Sequence, residues 1–489
     1  MLLIALLILP LAAGLICLAV PSQRALENLN LLTLAGVAAL AAGVAFQVLD
    51  QQSIEALGGF FYADALSALV IGLTAFVSLV CGIYAIGYFR REKSSGKITA
   101  AQVRRYYSLT PLFVFAMLLV TVANNLGVMW VAIEGTTLAS VLLIAFYNEK
   151  TSLEAAWKYI IIGSVGIALA LFGTIVTFSA AQTVGDKSAS SLNWSLLVTR
   201  AENFNAHAMK LGFILALLGY GTKAGLAPMH TWKPDAYAEA PVPASALLGA
   251  GVLNCALYGI LRFDVLATKC LGPAFPTHLL LFFGLASMLV AAPFVLVQRN
   301  FRRLLAYSSI EHAGIIVTAV GFGGRLGMLG AMLHMLFHAV TKPLLFFCAG
   351  NVQQHLQTPY LRKVRGAIHY MPITGALLFF VMLAVTGVPP FSIFQSEFTI
   401  LSAGFYGHHT WLAALFVFCV VTIFCGFLQH VSQMILGSPS EGIARAVPCP
   451  WKTGVMLFLA ALILGLGFKL PHSVFLLVQQ AAQIIGGGV

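Results

Sequence analysis

The twenty residues that open the chain, MLLIALLILPLAAGLICLAV, carry no charged side chain, and runs of the same kind return almost without interruption to the other end. A run of about 20 apolar residues spans a bilayer as a helix, because the hydrocarbon core is roughly 30 Å thick and no water is there to satisfy an open backbone. Sixty per cent of the 489 residues are hydrophobic and 9% charged, with a mean hydropathy of +0.93, so little chain is left over for a soluble domain. The fold class expected is an all-α polytopic membrane protein. The first run lacks a basic leader and is followed at once by further runs, which reads as a retained first helix.

Polar, Gly and Pro punctuation divides the chain into about 14 spans, near 2–21, 29–49, 63–88, 108–124, 126–146, 153–180, 208–232, 242–266, 273–297, 304–323, 325–351, 371–403, 411–437 and 453–470. The tail after His472 reads as a half-span or an interfacial helix. Alternating the loops puts seventeen Lys and Arg on one face, among them Arg90, Arg91, Arg302, Arg303 and Lys233. The other face receives six: Lys187, Arg200, Lys210, Lys269, Arg325 and Lys469. That asymmetry is the cytoplasmic signature of membrane proteins, so the net charge of +11 reads as topology and not as affinity for nucleic acid. The eight cysteines stand singly, with no CxxC spacing, and read as small packing residues with no iron–sulfur, haem or zinc site.

Two spans contain helix breakers. The seventh carries Gly221, Gly225 and Pro228, and the twelfth carries Gly387, Pro389 and Pro390. They lie five spans apart, an odd number, so a repeat containing them would enter the membrane upside down in its second copy. Paired interruptions of this kind point to an inverted-repeat transport fold with its site at the breaks. The organisation expected is an N-terminal three-helix segment (1–107), two inverted five-helix repeats (108–266 and 267–437) and a C-terminal helix with its tail (438–489).

A charged side chain at mid-membrane costs about 2.5 to 3.5 kcal/mol on insertion scales, so each one needs a partner, water or a function. Glu134 lies in the fifth span and Lys223 in the seventh. His334, His338 and Lys342 follow at i, i+4 and i+8 in the eleventh, on one helical face, and Glu397 lies beyond the break in the twelfth. These six are the expected proton relay, with Lys158, His230, Asn254, Glu311 and His312 as accessory candidates. Protons move along groups whose protonation a neighbour can switch: a partner holds a buried lysine charged, and its loss lets the proton go. Plainer readings stand beside this one. Glu134 and Lys223 could form an ion pair that only joins two helices, His312 could satisfy a carbonyl, and Glu311 could be interfacial polarity near the inner end of the tenth span. The His-x3-His pair has no HExxH pattern and no third ligand nearby in sequence, which argues against a metal.

The segments NNLGVMWVAIEGTTLASVLLIAFY, GTKAGLAPMHTWKPDAYAEAPVPASALL, RRLLAYSSIEHAGII and LHMLFHAVTKPLLFFCAGNV resemble the antiporter-like membrane subunits of respiratory complex I, multisubunit Na⁺/H⁺ antiporters and membrane-bound hydrogenases. The resemblance covers nearly the whole chain. Within that family the region from GYFRRE to the sixth span is most similar to the F component of hydrogenase-4, of the formate-hydrogenlyase type. It implies 14 helices in two inverted repeats, Glu134 as the acid facing a neighbouring subunit, Lys223 as the proton-carrying lysine of the first half, and Glu397 as the terminal acid of the second. It also implies a bacterial or archaeal cytoplasmic membrane, other membrane subunits and a peripheral redox arm as partners. No cofactor is expected in this chain, since Fe–S clusters and NiFe or quinone belong to partner subunits. One departure stands out: relatives usually carry lysine or histidine in the eighth span, where this chain has Asn254, which can hold water but cannot titrate. The alternative function is a stand-alone or multisubunit cation/proton antiporter, which the lack of clustered carboxylates disfavours. A catalyst in its own right is disfavoured by the lack of a nucleotide loop, nucleophile elbow or metal cluster.

Overall fold

A computed structural model describes residues 1–182, 192–439 and 443–486; Lys187, assigned above to the less basic face, lies outside them. Helices α1 (Leu2–Ala19) and α2 (Gln23–Gln51) lead into a hairpin of β1 (Ser53–Ala56) and β2 (Phe61–Asp64), antiparallel with Ser53 opposite Asp64. Then come α3 (Ala65–Ser94), α4 (Ala100–Val122), α5 (Leu126–Ile144), α6 (Lys150–Gln182), the short α7 (Trp194–Arg200), α8 (Ala206–Ala224), α9 (Trp232–Glu239) and α10 (Val242–Leu247). A π turn, Leu248–Val252, joins α10 to α11 (Leu253–Leu271). The remainder is α12 (Ala274–Val297), α13 (Phe301–Phe322), α14 (Gly324–Leu356), the short α15 (Ala367–Tyr370), α16 (Pro372–Val385), α17 (Ser392–Tyr406), α18 (Thr410–Leu436), α19 (Pro450–Phe468) and α20 (His472–Ile485).

Among the described residues, twelve helices are long and apolar enough to cross a membrane, α10 and α11 counting as one. The twelfth expected span is built from two shorter helices, α16 and α17, and in the seventh, 208–232, α8 ends at Ala224 and a new helix, α9, begins only at its last residue, Trp232. Both interruptions use the same device. Gly225 takes φ +78° and Gly387 φ +67°, left-handed values that cost glycine nothing, and each lies just past the last helical turn. The next amide then bonds back five residues, Leu226 N–H to the Gly221 carbonyl (2.8 Å) and Val388 N–H to the Leu383 carbonyl (3.1 Å). A proline follows three residues after each glycine, Pro228 and Pro390, and prevents the helix from resuming.

Helix starts follow local capping more than hydrophobicity. Thr99 and Gln102 form a capping box that begins α4 at Ala100, eight residues before the expected boundary, because polar caps outside the apolar run still satisfy the first amides. Asn125 caps α5 by accepting from Gly127 and Val128 N–H (2.9 and 3.3 Å). Asp64 caps α3 and also holds Arg262 of α11 through two bonds of 2.7 Å, with Ser67 accepting from the same guanidinium, so the first hairpin is tied to the centre.

The outer helices expose apolar side chains such as Phe46, Phe172, Trp411 and Phe418, as lipid contact requires. The inner ones do not: the most apolar windows of α14 and of α10–α11 are wholly buried, although α14 carries the buried His334, His338 and Lys342. Helices α6 and α8 pack so closely that a Cβ on Gly173 or Gly219 would fall 2.6 Å from Ala216 N or 2.4 Å from Ala170 N, the small-residue contact by which membrane helices approach. The tail helix α20 lays Leu477, Val478, Ala481 and Ala482 against α3, α8's neighbour α11, and α14, so it is a packed amphipathic helix.

Candidate functional site

The titratable residues gather along the middle of the bundle, and the first group sits at the end of α8. Lys223 is buried, and its Nζ donates to Thr137 Oγ1 (2.8 Å) on α5 and to Tyr159 Oη (2.6 Å) on α6. Thr137 in turn donates to Glu134 Oε2 (3.0 Å), and Tyr159 shares a 2.6 Å bond with Ser140. The direct ion pair that was one alternative for Lys223 and Glu134 is absent among the described residues, because the Thr137 hydroxyl stands between them. One turn of α5 carries both Glu134 and Thr137, so the hydroxyl reaches its carboxylate along the helix and the lysine across it. Glu134 itself is only partly buried, as an acid at a lateral surface would be.

A second group joins three helices. His312 of α13 and His334 of α14 meet through Nδ1 and Nε2 at 2.9 Å, and His334 Nδ1 meets Ser396 Oγ of α17 at 2.9 Å. Ser396 donates its own proton to the Ile393 carbonyl (2.8 Å), so its oxygen accepts from His334 Nδ1–H. That leaves His334 Nε2 as acceptor for His312 Nδ1–H, which fixes one tautomer along the run. The His338 ring lies 4.9 Å from that of His312. Glu397, one residue past Ser396, folds back onto the second break, where a Cβ on Gly387 would fall 2.0 Å from its Oε2. A cavity of about 320 Å³ lined by Gly387, Pro389, Glu397 and Phe398 opens beside it.

On these helices and their neighbours, further buried polar atoms have no protein partner among the described residues: Asn254 Oδ1, Ser308 Oγ, His312 Nε2, both nitrogens of His338, Thr341 Oγ1 and Lys342 Nζ. Buried polar groups are ordinarily bonded, and a run of unpaired ones at mid-membrane is the signature of positions served by water. Pro343, next to Lys342, lacks an N–H and so frees the Ala339 carbonyl toward the same region. Glu311 lies in the electrostatic field of both Lys342 and Glu397.

Several expectations change. Glu311 is 4% exposed at the middle of α13, not near an end, because that helix begins at Phe301, earlier than its apolar run. His312 bonds to His334 and to no carbonyl. Lys158 is half exposed and pairs with Glu154 (2.6 Å) and Asp235 (3.0 Å), and Asp235 also holds Arg303, so it belongs to a surface ion network away from the relay. Asn254 spends its amide on the Ala250 carbonyl of its own helix (2.8 Å), and His230 lies beside Tyr307. The His334/His338 pair gains no third ligand, but a different trio meets in space: ligand atoms of His312, His334 and Glu397 all lie within 4.8 Å of one another, although the facing nitrogens of the two histidines bond to each other.

Lys233 was counted with the loops and is instead fully buried, like Arg302, which donates to the Ala240 carbonyl and to Ser245 (2.7 Å). Thr137, Tyr159 and Ser396 were also missed. A hydroxyl in an apolar run carries no signal of its own; its spacing from Glu134 was the only clue for Thr137.

The chain is similar in sequence and in fold to known proteins. The family described as NADH:quinone oxidoreductase/Mrp antiporter, TM, matches residues 123–423. A hydrogenase-4 component F homolog of Methylacidiphilum infernorum is 39% identical over 406 residues, 83% of this chain and 85% of that protein. A chain of the archaeal membrane-bound sulfane sulfur reductase superposes with a TM-score of 0.88 at 24% identity, covering 99% of this chain and 97% of that one. A chain of respiratory complex I from Thermus thermophilus gives 0.76 at 23%, covering 96% and 97%. At those identities the two structures speak for the fold alone.

Proposed function

Because the chain belongs to the NADH:quinone oxidoreductase/Mrp antiporter transmembrane family, we propose that it is the proton-translocating membrane subunit of a hydrogenase- or NADH:quinone oxidoreductase-type complex in a bacterial or archaeal cytoplasmic membrane. Redox cofactors belong to partner subunits, and this chain moves protons in response to their chemistry. The observation that carries the reading is the Glu134–Thr137–Lys223–Tyr159 run, facing across unpaired polar atoms to His338, His334, His312 and Glu397. A charge change at a neighbouring subunit shifts Glu134, Thr137 transmits the shift, and Lys223 releases its proton toward α14. Glu397, at the second break, passes it to one face.

The magnitudes are compatible. Moving one charge across 100 mV costs about 2.3 kcal/mol, and a hydrogen bond to a charged group contributes about 1.5 to 3 kcal/mol. Switching the contact at Lys223 is therefore enough to gate a step. The parallel breaks at Gly225 and Gly387 support the division into repeats 108–266 and 267–437.

The test is Lys223→Ala in the assembled native complex. Redox-driven proton uptake into inside-out vesicles is expected to vanish while the complex still assembles; undiminished uptake refutes the reading. Proteoliposomes holding this chain alone decide the other reading, since cation-driven proton flux without partners would make it a secondary transporter.

A further inference from the structure

Lys233 is a buried lysine between helices of the two halves to which the mechanism above gives no part. It opens α9, immediately after the first break, and is fully buried. Its Nζ donates to the Ala224 carbonyl at the end of α8 (2.7 Å) and reaches the Ser309 carbonyl of α13 (3.4 Å). Ala224 adjoins Lys223, and Ser309 lies one turn from His312, so a single ammonium touches the lysine helix of the first half and the histidine helix of the second. No carboxylate bonds to it among the described residues. Lys233 lies in the field of Lys342, and His230, His312 and His338 feel its own.

The break is shaped around this side chain. A Cβ on Gly225 would fall 2.6 Å from Lys233 Cδ and 3.1 Å from Nζ, just as a Cβ on Gly387 would collide with Glu397. In both interrupted spans, then, an ionisable side chain from the following helix folds back onto the glycine that ends the preceding one. At the second break that group is Glu397, the terminal acid of the relay. In the eighth span Asn254 spends its amide on its own helix, Arg262 is held by Asp64, and the buried Asp264 lies more than two turns beyond Asn254.

We propose that Lys233 is a proton-carrying site of this chain, taking the proton from Lys223 and handing it to the Lys342/His338/His312 cluster. The inference rests on the proton-relay reading above. Two buried cations repel, so a proton on Lys233 and one on Lys342 exclude each other, and arrival at the first drives departure from the second. As an ammonium Lys233 donates to both carbonyls with one N–H to spare; as an amine it keeps two N–H donors for them, so neither state leaves the site without a partner.

The experiment compares Lys233→Leu, Lys233→Arg and Lys223→Ala in inside-out vesicles carrying the assembled complex. Proton uptake is read with a ΔpH dye and electron transfer is measured with a protonophore present. Arginine keeps the charge and the donors but does not release a proton. Both Lys233 variants are expected to lower uptake per electron transferred by about a hundredfold, the scale of losing a positioned proton carrier, with uncoupled electron transfer retained. A loss of uptake smaller than tenfold in either variant overturns the inference, since tenfold corresponds to only 1.4 kcal/mol and a lost carrier must exceed that. If Lys223→Ala has lost uptake in the same series, only the role of Lys233 falls; if it has not, the relay falls with it. Failure of both Lys233 variants to assemble assigns the lysine a structural role and also overturns the inference.

Discussion

Thr137 offers the sharpest test of how the acid and the lysine communicate. Its hydroxyl accepts from Lys223 Nζ at 2.8 Å and donates to Glu134 Oε2 at 3.0 Å, so it is the covalent hinge of a two-bond bridge. Thr137→Val keeps the shape of the side chain and removes both bonds. Lys223 retains Tyr159 at 2.6 Å, and Glu134 loses its bond to Thr137 at a partly exposed position and not in the buried core, so the fold should hold. What is lost is the contact that makes the lysine sense the carboxylate. A hydrogen bond to a charged group contributes about 1.5 to 3 kcal/mol, which corresponds to roughly 10- to 150-fold in the coupled step. Water entering the gap would bring the effect to the low end. The assay is initial proton uptake in vesicles carrying the assembled complex, beside electron transfer with a protonophore. Thr137→Ser, which keeps the hydroxyl, should stay near the parent. Equal uptake in the valine variant and the parent would refute the bridge.

Two further outcomes are expected. Ser396→Ala removes the acceptor that orients His334; a neutral hydrogen bond contributes about 0.5 to 1.5 kcal/mol, so uptake should fall roughly two- to tenfold, and an unchanged rate would show that the tautomer does not matter. Asp64→Ala leaves the Arg262 guanidinium buried without its carboxylate, a loss of about 3 to 5 kcal/mol, so the purified protein should unfold at a clearly lower temperature, and an unshifted midpoint would mean that Ser67 and Tyr258 suffice.

The composition and spacing of apolar runs determined that this chain crosses a membrane many times, because in lipid only helices can satisfy the backbone. The Gly and Pro clusters located the two breaks, since left-handed φ and a missing N–H are properties of the residues themselves. The i, i+4, i+8 stack of His334, His338 and Lys342 was legible for the same reason: it is contained in one helix. Contacts between helices were not. Thr137 as a bridge, His312 and Ser396 on either side of His334, and Glu397 against Gly387 depend on how α5, α8, α13, α14 and α17 cross, which no local pattern encodes. Lys233 is the clearest case. Beside Trp232 and Pro234 it looks like the start of a basic loop, and only the left-handed turn at Gly225 directs it inward, where a lysine is tolerated because two backbone carbonyls receive it.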